Sequence, residues 1–126
     1  MVMGERLVLI IAMPGTVRKG IQALVEALPE VNKVICINEI PQNPGELEGV
    51  DPALIVVEFP EDEKSYQQLL EIVRGSVPSA KILALVDNKE QERAANRLKT
   101  DGTLMKGFEG SRFLKILGRL IRSVKN

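Results

Sequence analysis

The chain has 126 residues, of which 44% are hydrophobic, 27% charged and 3% aromatic. That length closes an aliphatic core without metals or disulfides, and the composition excludes a disordered chain. Seventeen basic and 17 acidic residues cancel, so no bulk field points to nucleic acid or to a membrane surface.

Apolar runs and helical patterns alternate five times along the chain. Leu7 to Ala12 reads as the first strand; the apolar run to Met13 is too short to span a bilayer and has no small-residue cleavage site. Pro14-Gly15-Thr16 makes a turn, with Thr16 the expected N-cap. Val17, Ile21, Leu24, Val25 and Leu28 then share one helical face, and Pro29 ends that helix. Val34 to Ile37 is the second strand. It holds the one cysteine, Cys36, which has neither a His nor a second Cys to activate it and reads as a small buried hydrophobe in a reducing compartment. From Pro41 to Gly49, two prolines and two glycines leave room for one helical turn at most.

Asp51 to Asp62, DPALIVVEFPED, is the stretch around which the rest is organised. Its β-branched apolar run reads as a central parallel strand buried on both faces, Leu54 to Glu58. Pro60 blocks further pairing. Tyr66, Leu69, Leu70 and Val73 give a helix ending near Gly75-Ser76, and Ile82 to Val86 is the fourth strand. Asp87 or Asn88 caps the next helix, whose small buried face is Ala94, Ala95 and Leu98. Thr103 to Met105 is a short fifth strand. The last helix runs from Ser111 as N-cap to about Val124 and buries Phe113, Leu114, Leu117, Leu120, Ile121 and Val124.

This alternation predicts βαβ units and a five-stranded parallel sheet in the flavodoxin-like order 2-1-3-4-5, a three-layer α/β fold with a short or absent second helix. Ligands of such sheets sit beyond the carboxyl ends of the central strands, which makes Glu58 the first candidate residue. The chain has no His, which removes histidine triads, histidine metal sites and histidine acid–base chemistry.

Read together, these segments resemble a response-regulator receiver domain over essentially the whole chain. Val17-Arg18-Lys19-Gly20-Ile21 resembles the start of the family's first helix, and Pro52-Ala53-Leu54-Ile55-Val56-Val57-Glu58 its third strand, which ends in the phosphoacceptor aspartate. Lys81 to Val86 resembles the fourth strand. Asp101 to Phe108 resembles the fifth, with its lysine. The resemblance implies phosphoryl transfer from a partner kinase's phosphohistidine, using two acids that hold Mg²⁺, the acceptor carboxylate, a Ser or Thr hydroxyl and the lysine, which neutralise charge on the transferred group.

Carried over position by position, the acidic pair falls on Ala12 and Met13, the acceptor on Glu58, the hydroxyl on Val86 and the lysine on Lys106. Only the lysine is unchanged. Ala12 and Met13 offer no oxygen to a hard cation, Val86 has no hydroxyl, and Glu58 carries its charge one methylene further out. The aromatic switch position is Thr103, and Gly107 follows the lysine where the family usually has proline. The chain thus resembles a degenerate, or pseudo-, receiver.

Glu58 and Lys106 are placed to pair across the carboxyl edge, either as a permanent substitute for a phosphorylated or metal-bound state or as a plain neutralisation of two edge charges. Glu58, Glu61, Asp62 and Asp87 read as a solvated acidic rim rather than a cation site. The glycines of Gly15-Thr16-Val17-Arg18-Lys19-Gly20 match neither a dinucleotide fingerprint nor a P-loop, and read as a turn glycine and a helix-packing glycine. Arg112, Lys115, Arg119 and Arg122 form a basic stripe on the last helix. Such a stripe is a solvated face or a surface for an acidic partner.

The expected function is signal transduction by protein–protein contact without Mg²⁺-dependent aspartyl phosphorylation. Two alternatives stand beside it: an atypical but phosphorylatable response regulator in a phosphorelay, and a flavodoxin-like small-molecule-binding domain using the same strand edge. No enzyme activity, metal or cofactor is expected, since no nucleophile–base pair is visible. The partner is a kinase, an output domain or another signalling protein. The resemblance adds a possible homodimer through the face made by helix 4, strand 5 and helix 5 in the family's count. Neither nucleic acid nor membrane is expected as a partner, and residues 1–126 read as one receiver-like cytoplasmic domain.

Overall fold

The computed structural model describes residues 6–123. Its strands are β1 (Leu7–Ile11), β2 (Lys33–Ile37), β3 (Leu54–Glu58), β4 (Lys81–Val86) and β5 (Gly102–Met105). They form one sheet in the order β2-β1-β3-β4-β5, and all neighbours are parallel. The helices are α1 (Thr16–Glu26), α2 (Glu63–Ser76), α3 (Lys89–Arg97) and α4 (Gly110–Arg122). Between β2 and β3 there is only a 3-10 turn, Pro44–Leu47, pinned by the buried Leu47. The Pro- and Gly-rich segment thus yields the single turn expected of it.

The central strands are apolar throughout because both faces of the sheet are covered. Leu9, Ile11, Ile55, Val57, Ile82, Ala84 and Val86 pack beneath α2 and α3, with Tyr66, Leu69, Leu70, Val73, Ala94 and Ala95. Val8, Ile10, Leu54, Val56, Leu83 and Leu85 pack on the other side, against Ile21 and Val25 of α1 and Phe113, Leu117, Leu120 and Ile121 of α4. The strand ends that carry candidate residues are therefore held by core on both sides.

The helix starts differ from the expected ones. Thr16 is the first helical residue and not the cap; the Gly15 carbonyl accepts the Lys19 N–H at 3.0 Å, and no side chain caps α1. Ser111 likewise lies inside α4. Glu109 occupies the cap, where its carbonyl accepts the N–H groups of Arg112 and Phe113 at 3.0 and 3.1 Å. Asn88, not Asp87, caps α3 by accepting the Gln91 N–H at 2.9 Å, which leaves Asp87 for the sheet edge. Leu114 is only half-buried, and Val124 lies outside the described residues. Gly20 is exposed, and a Cβ there meets nothing within 4 Å, so it is not a packing glycine.

Asp62 caps α2, accepting the Ser65 N–H at 2.7 Å. That backbone hydrogen bond, with a further one from the Ser65 side chain, holds the Asp62 carboxyl below its ordinary value of 3.8. A carboxylate with a depressed folded pKa stabilises above its unfolded value, and that contribution disappears as pH falls through the lower folded value. Asp62→Ala is therefore expected to melt below wild type at neutral pH. The gap should close as the buffer is taken well under pH 3.8, which circular-dichroism melts across an acid series will check.

Candidate functional site

The carboxyl ends of β1, β3, β4 and β5 meet at one edge of the sheet. β3 places Glu58 opposite Leu85 of β4, and the next residue closes the pairing when the Phe59 N–H donates to the Leu85 carbonyl at 2.9 Å. The chain leaving β5 stays on β4 for one more residue, because the Lys106 N–H donates to the Val86 carbonyl at 2.8 Å. The Lys106 side chain is thereby aimed across the edge.

Its ammonium lies 2.7 Å from Glu58 Oε2 and 3.1 Å from Asp87 Oδ1. The other oxygen of Glu58, Oε1, accepts the Met13 N–H at 3.3 Å. Both oxygens of the carboxylate are thus occupied by the chain itself. Glu58 and Lys106 are mostly covered, with side-chain exposures of 21% and 24%, whereas Asp87 is 53% exposed. Burial opposes the charge on Lys106, but its hydrogen bonds to Glu58 and Asp87, together with their charges, outweigh burial and hold the ammonium above its ordinary 10.5.

The acidic-pair and hydroxyl positions of the family supply no polar side chain here. Ala12 is buried at 5% exposure and Met13 stands in solvent at 73%. Val86 is fully buried. Thr103 is half-buried on β5, opposite Ala84. Gly107 has φ +90°, a conformation closed to proline with its φ near −65°. The backbone after the lysine therefore requires the departure seen in the sequence.

The acidic rim is not a row of four free carboxylates. Glu58 and Asp87 share Lys106, and Asp62 is committed to its helix cap. Glu61 is exposed at the edge. Among the described residues, no group of three or more His, Cys, Asp or Glu is placed to hold a metal. Beside the ion pair opens a cleft of about 450 Å³. Its apolar walls are Met13, Ile40, Phe59 and Pro60, and its polar lining includes Glu39, Glu61 and Gln91.

On α4, Arg112, Lys115 and Arg119 are exposed. Arg122, the fourth member of the expected stripe, instead donates to Glu30 Oε2 at 3.2 Å, so it is committed to the loop after α1. Cys36 is half-buried rather than buried, because β2 is an edge strand. Its thiol lies 3.5 Å from Gln22 Oε1, and burial pushes its pKa up.

Two features of the edge escape a reading of the sequence. Asp87 reads as a cap or a rim charge, and only the choice of Asn88 as cap frees it for Lys106. Tyr66 reads as an apolar helix residue, yet its ring stacks on Phe59 at 4.6 Å and its hydroxyl meets Thr100 Oγ1 at 2.5 Å. This contact backs the residue next to Glu58 with a rigid wall. The adjacency of Phe59 to the strand end was the one available signal.

No family model matches the sequence, and neither does any curated protein. Solved structures do. A response regulator from Thermotoga maritima superposes with a TM-score of 0.78 at 17% identity, covering 94% of this chain and 99% of that one. A putative pilus assembly-related protein from Burkholderia pseudomallei gives 0.76 at 12% identity, over 96% and 92% of the two chains. The CheY-like protein tadZ from Pseudomonas aeruginosa gives 0.75 at 14% identity, over 92% and 99%. The chain has the CheY-like receiver fold.

Proposed function

We propose that this chain is a receiver-type signalling module that acts through protein–protein contacts, without Mg²⁺-dependent aspartyl phosphorylation. One observation carries the reading: both oxygens of Glu58, at the phosphoacceptor position, are taken by Lys106 and the Met13 N–H. Ala12, Met13 and Val86 add no ligand for Mg²⁺ and no hydroxyl for a phosphoryl oxygen. The edge therefore holds one fixed charge arrangement, in which Lys106 takes the place of a cation. The unit comprises residues 1–126 as one receiver-like domain, and its work is binding rather than catalysis. The exposed bases of α4, Arg112, Lys115 and Arg119, form the docking surface for an acidic protein partner, where complementary charge raises the encounter rate.

The test is intact-mass spectrometry after incubation with acetyl phosphate, with and without Mg²⁺. The expected result is no adduct from protein shown to be folded. A Mg²⁺-dependent gain of one phosphoryl group overturns the reading in favour of a phosphorylatable response regulator. The 450 Å³ cleft supports a second reading, a small-molecule site at the same edge. A saturable rise in melting temperature with a small ligand, abolished by filling the cleft, decides for it.

A further inference from the structure

The formal charges of the chain cancel, but the fold segregates them. Helix α4 carries Arg112, Lys115, Arg119 and Arg122 and no acid. The cleft at the carboxyl edge is lined by Glu39, Glu58, Glu61 and Asp87 against the single base Lys106. Lys106 is already shared by Glu58 and Asp87. Among the described residues, Glu39 and Glu61 make no ion pair, and neither do Arg112, Lys115 and Arg119. Both surfaces therefore present charge that no described side chain takes up in an ion pair.

The same edge also carries the two large exposed hydrophobics of the described residues, Met13 at 73% and Val17 at 47%. Met13 lines the acidic cleft and Val17 the adjoining groove between α1 and the β5–α4 loop, while Lys106 lines both. An apolar centre with a charged rim is the build of a protein contact surface. Walls such as Met13, Ile40, Phe59 and Pro60 suit the methylene stem of a lysine or arginine, whose charged head then reaches the carboxylates at the mouth.

We infer that this acidic cleft receives the basic face of α4 from a second copy of the chain, so that copies associate head to tail. The inference rests on the reading of α4 as a docking surface and names its partner. One chain supplies both complementary surfaces, and a net charge of zero puts no long-range repulsion between copies. The contact is heterologous: each added copy leaves one free cleft and one free stripe, and growth continues past the dimer unless the rotation closes a ring.

Sedimentation velocity on the full chain tests this. The mass of the wild type should rise with concentration in low salt. The apparent association constant should fall roughly tenfold or more when salt cuts the screening length from about 10 to 3 Å. Two variants separate the surfaces: Glu39→Gln/Glu61→Gln on the cleft and Arg112→Gln/Lys115→Gln/Arg119→Gln on α4, all at exposed positions. Each alone should stay monomeric with an unchanged melting temperature. Their equimolar mixture has one live contact and should give a 1:1 complex that grows no further. A wild type that is monomeric throughout overturns self-association but leaves α4 available to an acidic protein of another kind. Association that survives the cleft variant, or a mixture that stays monomeric, overturns the cleft as receptor. Association that survives the α4 variant overturns the stripe as well.

Discussion

Replacing Phe113 with alanine is expected to lower the unfolding free energy by about 3–5 kcal/mol, the range for truncating a large buried aromatic. Phe113 is fully buried, and with Leu117, Leu120 and Ile121 it fixes α4 to the face of the sheet built from Val8, Ile10, Val56 and Leu83. Its ring stacks on Phe108 with centroids 5.3 Å apart, so the substitution opens a cavity and removes an aromatic pair together. Only 3% of the residues are aromatic, and among the described residues no ring besides Phe108 stacks on Phe113. Because α4 also carries the basic face, the docking proposed for that face should weaken in step with stability. Urea denaturation gives the magnitude. A loss under about 1 kcal/mol would mean that α4 repacks around the void, contrary to the close packing of protein interiors.

Lys106→Met should cost about 1–2 kcal/mol, less than the several kcal/mol of breaking a fully buried pair, since all three partners keep some contact with solvent. The cost arises from Glu58 and Asp87, left facing each other without a cation. Adding Glu58→Gln to Lys106→Met should therefore recover part of the loss, and the double-mutant cycle isolates the pair. The pH dependence carries the same signature. The folded pKa of Lys106 lies above its ordinary 10.5. A base with a raised pKa contributes fully below the unfolded value, and the contribution is lost as pH rises through the higher folded one. Wild type should thus lose stability steeply above pH 10.5, and Lys106→Met should lack that part of the decline. Equal stabilities of the two proteins at neutral pH would show the bridge to be too well solvated to hold Glu58.

The core followed from the sequence by itself. Two-sided burial of a parallel sheet demands unbroken apolar runs, and each of the five marked a strand to within one residue, as with Leu54–Glu58. Helical periodicity gave α2 and α4, and the prolines and glycines from Pro41 to Gly49 gave the single 3-10 turn. The side-chain types at the edge were legible too, since Ala12, Met13 and Val86 lack the needed oxygens in any fold. The pairing of Glu58 with Lys106 was readable from the strand order alone, because β3 and β5 flank β4.

What the sequence left open were choices between near-equal local partners. Asp87 and Asn88 are both good caps, and only the path of the chain out of β4 gave the cap to Asn88 and Asp87 to Lys106. Thr16 and Ser111 are good caps by type, but the carbonyls of Gly15 and Glu109 begin those helices one or two residues earlier than such caps require. Arg122 matches its stripe by spacing, yet Glu30, 92 residues away in sequence, draws it out. Burial patterns are set by strong, additive hydrophobic terms that each segment carries with it. Caps and ion pairs differ by about 1 kcal/mol or less, and the tertiary structure decides them by bringing distant groups within reach.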